Sequence, residues 1–171
     1  ISLSGDFTVS AWVYMQGSAK CVVVGSILGS DPNNQFFIDT SNLIGFYDGS
    51  NTRNGTAGFL RNMWNYCVWS RSGSTVSMYV NGVSVGTGAS SATFSLRVVG
   101  SLGSQYNYMT GYISDLQIKN SYRNYHLGYA SLAQGHSNRN SFVKGLDISV
   151  SLRSGGKGSD STSTMSSVEL Q

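Results

Sequence analysis

Acidic and histidine side chains are the first candidates for chemistry, because most hydrolytic sites use them in close pairs. Glycoside hydrolysis requires two carboxyl groups that flank the scissile bond. The chain has one glutamate, Glu169, and its aspartates show no close clustering. The two histidines, His126 and His136, lie in no metal-binding or nucleophile-activating motif. The sequence therefore predicts a protein with no catalytic residues.

Tyrosine and asparagine side chains in two polar segments are the second group of candidates. Sugar rings stack on exposed aromatic side chains, and side-chain amides hydrogen-bond to sugar hydroxyls. We predict a ligand site lined by residues in or beside segments 48–58 and 101–108, namely Tyr47, Asn51, Tyr106, Asn107 and Tyr108. Trp12 is a further candidate for this lining. The alternative for each ring is packing in the core or at a sheet edge, and we expect Trp64 and Trp69 to pack inside the fold.

The composition favours a small all-β protein and argues against a nucleic-acid partner. Only 11% of the 171 residues are charged, against about 25% in average soluble proteins. The net charge is +3, and the basic residues are scattered without a run, whereas nucleic-acid binding requires clustered cations. No apolar run approaches the length of about 20 residues that spans a bilayer, so membrane insertion is not expected.

A hairpin at residues 75–85 is the strongest local prediction. Asn81-Gly82 separates two runs of alternating apolar residues, and this pair favours a two-residue type I′ turn. Such a turn pairs Val80 with Val83 and Met78 with Val85. Together with Val76, these residues would place five apolar side chains on one buried face.

With the hairpin included, alternating or β-branched runs predict about ten strands along the chain. The main ones span residues 7–14, 21–28, 35–39, 43–47, 93–99 and 108–118, the last as one broken strand or a strand pair. Segments 29–34, 48–58 and 101–108 are predicted loops, and residues 121–133 have helical spacing. Turn-rich strands at these intervals indicate a two-sheet antiparallel β-sandwich.

Two cysteines, Cys21 and Cys67, both lie within apolar runs. Buried thiols that act as small hydrophobic residues are the favoured interpretation. A disulfide between neighbouring strands is the alternative.

Four segments in a fixed order carry a family resemblance. They are G-D-F-T-V-S-A-W-V at 5–13, W-N-Y-C-V-W-S-R-S-G-S-T-V-S-M-Y-V-N-G at 64–82, R-V-V-G at 97–100 and G-Y-I-S-D-L-Q-I at 111–118. Over residues 5–135 the chain resembles the laminin-G-like branch of the concanavalin A-like lectin/glucanase superfamily. The resemblance implies an all-β jelly-roll sandwich with a short C-terminal helix or turn. It also implies binding or structural roles more often than catalysis.

The same resemblance implies a calcium site at a sandwich rim. Relatives often hold one Ca²⁺ through aspartates and loop carbonyls, and Ca²⁺ takes six to eight oxygen ligands. Asp31 and Asp48, each near asparagines in a predicted loop, are the candidate metal ligands. The alternative is that both aspartates serve Asx turns, so that no cofactor is bound.

The C-terminal segment differs in composition from the rest of the chain. We divide the chain into a sandwich domain at 1–140 and an extended Ser/Gly-rich tail at 141–171, which has no counterpart in the family. The terminal Gln171 resembles a product of viral polyprotein processing, because picornavirus-type proteases cut after glutamine.

Two functions are consistent with these observations. The first is a non-enzymatic module that binds a glycan or protein receptor at an extracellular surface. The alternative is a structural capsid component, at a virion surface and involved in host attachment, whose tail packs on neighbouring subunits.

Overall fold

The computed structural model describes residues 1–26, 33–56, 58–101 and 109–123. Within these segments the chain forms twelve strands and no helix. None of the described elements is a helix that is long and apolar enough to cross a membrane. The strands are β1 Ser2–Leu3, β2 Phe7–Met15, β3 Cys21–Gly25, β4 Asn34–Ile38, β5 Ile44–Asp48, β6 Thr52–Asn54, β7 Trp64–Ser72, β8 Thr75–Val80, β9 Val83–Ala89, β10 Phe94–Ser95, β11 Val98–Val99 and β12 Gly111–Lys119.

Two five-stranded antiparallel sheets make up the sandwich. Sheet I has the order β11-β3-β4-β5-β6, and sheet II has the order β12-β2-β7-β8-β9. A short ladder pairs β1 with β10. This architecture confirms the predicted all-β, two-sheet antiparallel sandwich. Most of the predicted helix at 121–133 and the whole tail at 141–171 lie outside the described residues.

Aromatic side chains from both sheets fill the core between them. Phe36 of sheet I stacks on Phe94 with ring centroids 4.9 Å apart and meets Trp69 of sheet II at 5.4 Å. The Trp69 indole N–H donates to the backbone oxygen of Gly45 in sheet I at 3.0 Å. Trp69 thus packs inside the fold as predicted, and it joins the sheets by a buried hydrogen bond as well as by apolar contact.

The predicted Asn81-Gly82 turn is confirmed, but the predicted strand register is wrong beyond Tyr79. Both turn residues have positive φ, 51° and 82°, and Val80 pairs with Val83. A bulge between Met78 and Tyr79 then shifts the register, so Met78 pairs with Gly86 instead of Val85. Val83 is 65% exposed at the tip, so the prediction of five buried apolar side chains was wrong for this residue.

Three other element boundaries differ from the prediction. The run at 93–99 forms two short strands because β10 pairs with β1 whereas β11 pairs with β3. Segment 48–58, predicted as a loop, contains β6, which pairs with β5 at the edge of sheet I. The run at 108–118 includes a single strand, β12, with an irregularity between Ser114 and Gln117.

A buried guanidinium group fastens the N-terminal segment to sheet II. Arg71 is almost fully buried, and its Nε donates to the backbone oxygen of Gly5 at 2.7 Å. A second nitrogen donates to the Ala92 carbonyl, and the guanidinium lies over the Phe7 ring at 4.8 Å. Burial lowers the pKa of Arg71, while the Asp6 carboxylate acts in the opposite direction. Hydrogen bonds to main-chain carbonyls and the cation–π contact replace the hydration that the guanidinium loses on burial.

Both cysteines are free and buried in the core, which agrees with the favoured interpretation. The Cys21 thiol donates to the Met15 sulfur at 3.0 Å. Burial raises the pKa of Cys21 to about 12. The pKa of Cys67 is also raised, first by burial and then by the nearby Cys21.

Because both thiols have a raised pKa, we expect the free energy of unfolding to fall at alkaline pH. Below the ordinary thiol pKa of 9.0 both states are protonated, and the stabilising contribution is complete. Above it the unfolded chain releases protons that the folded chain keeps, so the free energy of unfolding falls as pH rises toward about 12, by up to about 1.4 kcal/mol per pH unit for each thiol. Urea unfolding across this range measures the slope.

A chain with Cys21→Ala and Cys67→Ala is the control for this prediction. Alanine lowers stability at every pH because it leaves cavities, but it removes both titrations. The slope above pH about 9 should therefore become shallower in the variant than in the wild type. If the free energy of unfolding fell equally steeply with pH in both chains, the two buried thiols would not be the cause.

Candidate functional site

The outward face of sheet II carries most of its aromatic side chains. Along β2, the core residues alternate with Thr8, Ser10, Trp12 and Tyr14, which point away from sheet I. Strand β7 alternates in the same way because Tyr14 pairs with Trp64 and Trp12 pairs with Tyr66. Register therefore assembles rings that are far apart in sequence into one surface.

Three rings at one end of this face form what we call the aromatic platform, defined as Tyr14, Trp64 and Tyr112. They lie side by side on β7, β2 and β12 because Tyr14 pairs with both Trp64 and Tyr112. The Tyr14 ring centroid is 5.7 Å from that of Trp64 and 5.9 Å from that of Tyr112. Tyr112 is 62% exposed, and the other two rings are partly exposed. The platform thus offers ring faces inclined to one another to solvent.

Gly111 allows the third ring to join the platform. It begins β12 beside Met15, with a φ of 154°. A Cβ atom at this position would lie 2.0 Å from the backbone oxygen of Tyr14. Glycine is therefore required for the close approach of β12 to β2, which places Tyr112 next to Tyr14.

The described residues that border the platform along the chain are uncharged. The residues two positions away from each ring along the chain are all neutral: Thr110, Ser114, Trp12, Gln16, Asn62 and Tyr66. Arg61, in the segment that leads into β7, donates to the backbone oxygens of Gly17 at 2.6 Å and Asp39 at 2.9 Å. The guanidinium of Arg61 is therefore used to link the segments around Gly17 and Asp39.

The predicted rim residue Asp48 lies in a closed turn at the end of β5. One carboxylate oxygen accepts hydrogen bonds from the backbone N–H groups of Ser50 at 3.0 Å and Asn51 at 2.8 Å. Burial alone would raise the pKa of Asp48, but these two bonds, the Ser90 hydroxyl and the Arg53 charge lower it. This geometry is the Asx turn that was the alternative to a metal ligand.

Asp31, the other predicted metal ligand, lies outside the described residues. Within the described segments no group of three or more acidic, histidine or cysteine residues is arranged to hold a metal ion. The calcium site therefore stays a prediction.

Two of the five predicted ligand-binding residues lie in the described segments. The Tyr47 hydroxyl donates to the Gly49 carbonyl at 2.9 Å, and its ring packs on Val22 and Phe37. Asn51 is exposed on the same turn. The other three, Tyr106, Asn107 and Tyr108, lie outside the described residues.

The register separates the 48–51 turn from the residues that flank segment 102–108. Tyr47 pairs with Gln35, which shares a row with Gly25 and Val98. From Val98 the chain runs away from this row, since Gly100 bonds to Val23 and Met109 bonds back to Gly100. The residues that flank segment 102–108 thus lie toward the platform end of the sandwich, whereas the 48–51 turn closes the other end.

The aspartates of the described segments have structural roles. Each one accepts a hydrogen bond from a main-chain or side-chain N–H group: Asp6, Asp39, Asp48 and Asp115. Asp39 serves a second Asx turn through Ser41 and Leu43. These residues provide no positive evidence for catalysis.

Sequence reasoning missed the platform because it judged aromatic residues by loop position. Trp64 was expected inside the fold, yet it lies on the outward face and is partly exposed. Trp12, expected in an exposed lining, is 4% exposed and packs on Tyr66. The alternation of β2 was visible in the sequence and placed Trp12 and Tyr14 on one face. The partners on β7 and β12 depended on register, which the alternation does not give.

Replacement of Gly111 by alanine tests the geometry of the platform. The added methyl would meet backbone atoms of Tyr14 and Met15, so β12 must shift and the variant should lose more than about 1 kcal/mol of stability. Chemical denaturation measures this loss. Gly5→Ala is the matched control because no atom lies within 4 Å of the added Cβ. Equal stabilities of the two variants would contradict the close approach.

Solved structures with the same fold come from several kinds of protein. A putative carbohydrate binding protein from Bacteroides ovatus matches with a TM-score of 0.59 at 13% identity, over 73% of this chain and 40% of that one. The CBM40 of the Ruminococcus gnavus IT-sialidase, bound to α2,3-sialyllactose, gives 0.59 at 14% identity over 78% and 84% of the two chains. A heptameric SAP-like pentraxin from Limulus polyphemus gives 0.57 at 14% identity over 73% and 68%.

Family-level similarity is stronger than pairwise similarity for this chain. No curated protein matches it. The laminin G family model, described as concanavalin A-like lectin/glucanases superfamily, matches residues 1–125, which include every described strand. The chain belongs to the concanavalin A-like lectin/glucanase superfamily.

Proposed function

We propose that this protein is a non-enzymatic glycan-binding module that works at an extracellular surface, and that the aromatic platform holds the sugar. The observation that carries the proposal is the row of three adjacent, partly exposed rings on neighbouring strands. Aromatic rings on a rigid sheet provide contact area at a low entropic cost. The superfamily and the carbohydrate-binding proteins among its structural neighbours support the same class of ligand.

The dimensions of the platform suit a short oligosaccharide. Three adjacent strands span about 10 Å, since neighbouring strands are about 4.8 Å apart. The Tyr14 ring is inclined by 61° to Trp64 and by 54° to Tyr112. A sugar can therefore place a C–H face against one ring and its edge against the next. The exposed Ser114 beside Tyr112 supplies a hydroxyl for hydrogen bonding.

The neutral described residues that border the platform along the chain favour a neutral sugar. An acidic sugar such as sialic acid carries a carboxylate, for which proteins typically supply an arginine or a lysine. The side chains that border the platform along the chain are neutral. We therefore expect neutral hexose or N-acetylhexosamine units to bind in preference to sialylated ones, in contrast to the sialyllactose in the CBM40 structure.

Binding of neutral oligosaccharides tests this function directly. A glycan array followed by titration calorimetry should find a neutral ligand, and Tyr112→Ala should weaken its binding about tenfold or more, which corresponds to about 1.4 kcal/mol. Tyr112 is the best position to change because it is the most exposed ring of the platform, so its loss should leave the fold intact.

Two matched variants separate the platform from other surfaces. Val83→Ala removes an exposed apolar side chain at the hairpin tip and should leave affinity unchanged. Asn51→Ala tests the predicted rim site, because its side chain is exposed on the 48–51 turn. A loss of affinity in Asn51→Ala but not in Tyr112→Ala would indicate that the ligand binds at the rim and not at the platform. Binding that requires added calcium would support the metal prediction. An array without any neutral ligand would overturn the proposal.

The capsid alternative depends on residues 141–171, which lie outside the described residues. A particle subunit would need this tail for order or assembly, whereas a separate module would not. We expect residues 1–140 to fold as a soluble monomer, because the core and both sheets lie within the first 119 positions. Size-exclusion chromatography with circular dichroism measures this, and aggregation of 1–140 alone would favour the particle subunit.

A further inference from the structure

Residues 54–56 form the only Asn-X-Ser/Thr tripeptide in the chain, Asn54-Gly55-Thr56. In proteins that pass through the secretory pathway, the asparagine of such a tripeptide accepts an N-linked glycan. A glycan is bulky and hydrophilic, so the folded protein accommodates it only where the asparagine side chain faces solvent. The position of Asn54 in the sandwich therefore decides whether the tripeptide can be used.

Asn54 lies at the edge of sheet I and faces solvent. It is the last residue of β6, which ends the strand order of this sheet. Its strand partner is Gly45, and the next residue, Phe46, points into the core. Because side chains alternate along a strand, Asn54 lies on the outer side of sheet I, and it is exposed. The aromatic platform lies on the outer side of sheet II, so a glycan on Asn54 would leave it open.

The side-chain amide of Asn54 has an N–H group to spare. Its Nδ2 donates to Oδ2 of Asp39 at 3.0 Å. A primary amide has two N–H groups, and attachment of a sugar replaces one of them, so the other remains for Asp39. Gly45 gives the amide its room, since a Cβ atom there would lie 2.7 Å from Oδ1 of Asn54. A sugar on Asn54 is thus compatible with the folded structure.

We propose that Asn54 is an N-glycosylation site that receives its glycan before β6 and β9 come together. The donor is an oligosaccharide that begins with an N-acetylhexosamine and is carried on a polyprenyl diphosphate. The Asn54 amide nitrogen forms a bond to the anomeric carbon as the bond from this carbon to the diphosphate oxygen breaks. The amide loses one proton, and the lipid diphosphate leaves. The proposal rests on the extracellular location proposed above, but not on the ligand of the platform.

The other two residues of the tripeptide determine the order of events. The Gly55 N–H donates to the Ile44 carbonyl of sheet I at 2.8 Å. The Thr56 N–H and hydroxyl both donate to the Val85 carbonyl of sheet II, at 2.7 Å and 3.0 Å. The Thr56 hydroxyl distinguishes this tripeptide from any other Asn-Gly sequence, and it is occupied once the two sheets are joined. A transferase that recognises this hydroxyl finds it free only in an unfolded or locally opened chain.

A glycan at this position would also protect an edge of the sandwich. Strand β6 pairs with β5 on one side only, and the unpaired groups of an edge strand invite a strand from another molecule. Of its three residues, Arg53 carries the one charge. A large hydrophilic group on Asn54 would oppose such pairing by its size.

Translation of the full chain behind a cleavable secretory leader, in the presence of microsomes, tests the site. We expect protease-protected chains with a single glycan, which peptide N-glycosidase removes while converting Asn54 to aspartate. Peptide mass spectrometry locates that conversion. Asn54→Gln and Thr56→Ala should abolish the modification, whereas Thr56→Ser should keep it. Asn51→Gln, which changes an exposed asparagine of the same segment, is the matched control and should match the wild type.

Translocated wild-type chains without a glycan would overturn the proposal. The measurement needs no folded variant, because it reads a covalent change in the translocated chain. It is also separate from the calorimetry on the platform, which uses unmodified protein. A missing glycan on Asn54 would leave sugar binding at the platform untouched, and a platform without a ligand would not prevent transfer to Asn54.

A purified oligosaccharyltransferase with its lipid-linked donor tests the order of events. A peptide of residues 51–58 with blocked ends should be modified at least about tenfold faster than the folded full chain, in which the contact of Thr56 with β9 must open first. Thr56→Ala in the peptide is the control and should abolish transfer. Equal rates for the peptide and the folded chain would show that the bonded Thr56 hydroxyl does not limit transfer and would overturn the proposed order.

Discussion

Burial of β2 and β7 on both faces is the constraint on which the rest of the structure depends. Eight of the nine residues in β2 are buried, and seven of nine in β7. A central strand that is covered on both sides cannot carry charge without a compensating partner. The one cation in these two strands, Arg71, is accordingly bonded to backbone carbonyls and stacked on Phe7. The other residues of these two strands are all uncharged.

Double burial also explains why the two faces of sheet II use different residue types. Toward sheet I most side chains are apolar, because they meet the apolar side chains of the core, and the polar exceptions on β7, Asn65 and Arg71, donate to main-chain oxygens. Toward the outside, apart from Val68, β2 and β7 carry tyrosine, tryptophan, serine and threonine, which combine ring or methyl surface with a hydrogen-bonding group. The Thr8 and Ser70 hydroxyls show the use of this property, since they bond to each other and to the chain above them. This amphipathic outer face is buried in one part and exposed in another.

Local sequence pattern was sufficient for the fold and insufficient for the site. Alternation and the Asn81-Gly82 turn identified the strands of the hairpin, because both depend on residues close in sequence. The bulge at Met78, the division of 93–99 into two strands and the pairing of β6 depended on partners elsewhere in the chain. The platform required two registers at once, that of β2 with β7 and that of β12 with β2. Aromatic residues in loops were therefore easier to propose as ligand contacts than the rings that the sheet brings together.

The irregularity in β12 has a consequence for how these molecules behave when crowded. This strand is the edge of sheet II next to the platform, and an unprotected edge invites strand exchange with a neighbour. Asp115 has a φ of 50° within the irregularity, and it is exposed beside the exposed Ser114. The interrupted ladder and the carboxylate oppose the addition of a foreign strand. At this edge the protein can thus present exposed rings without offering a regular strand to a neighbouring molecule.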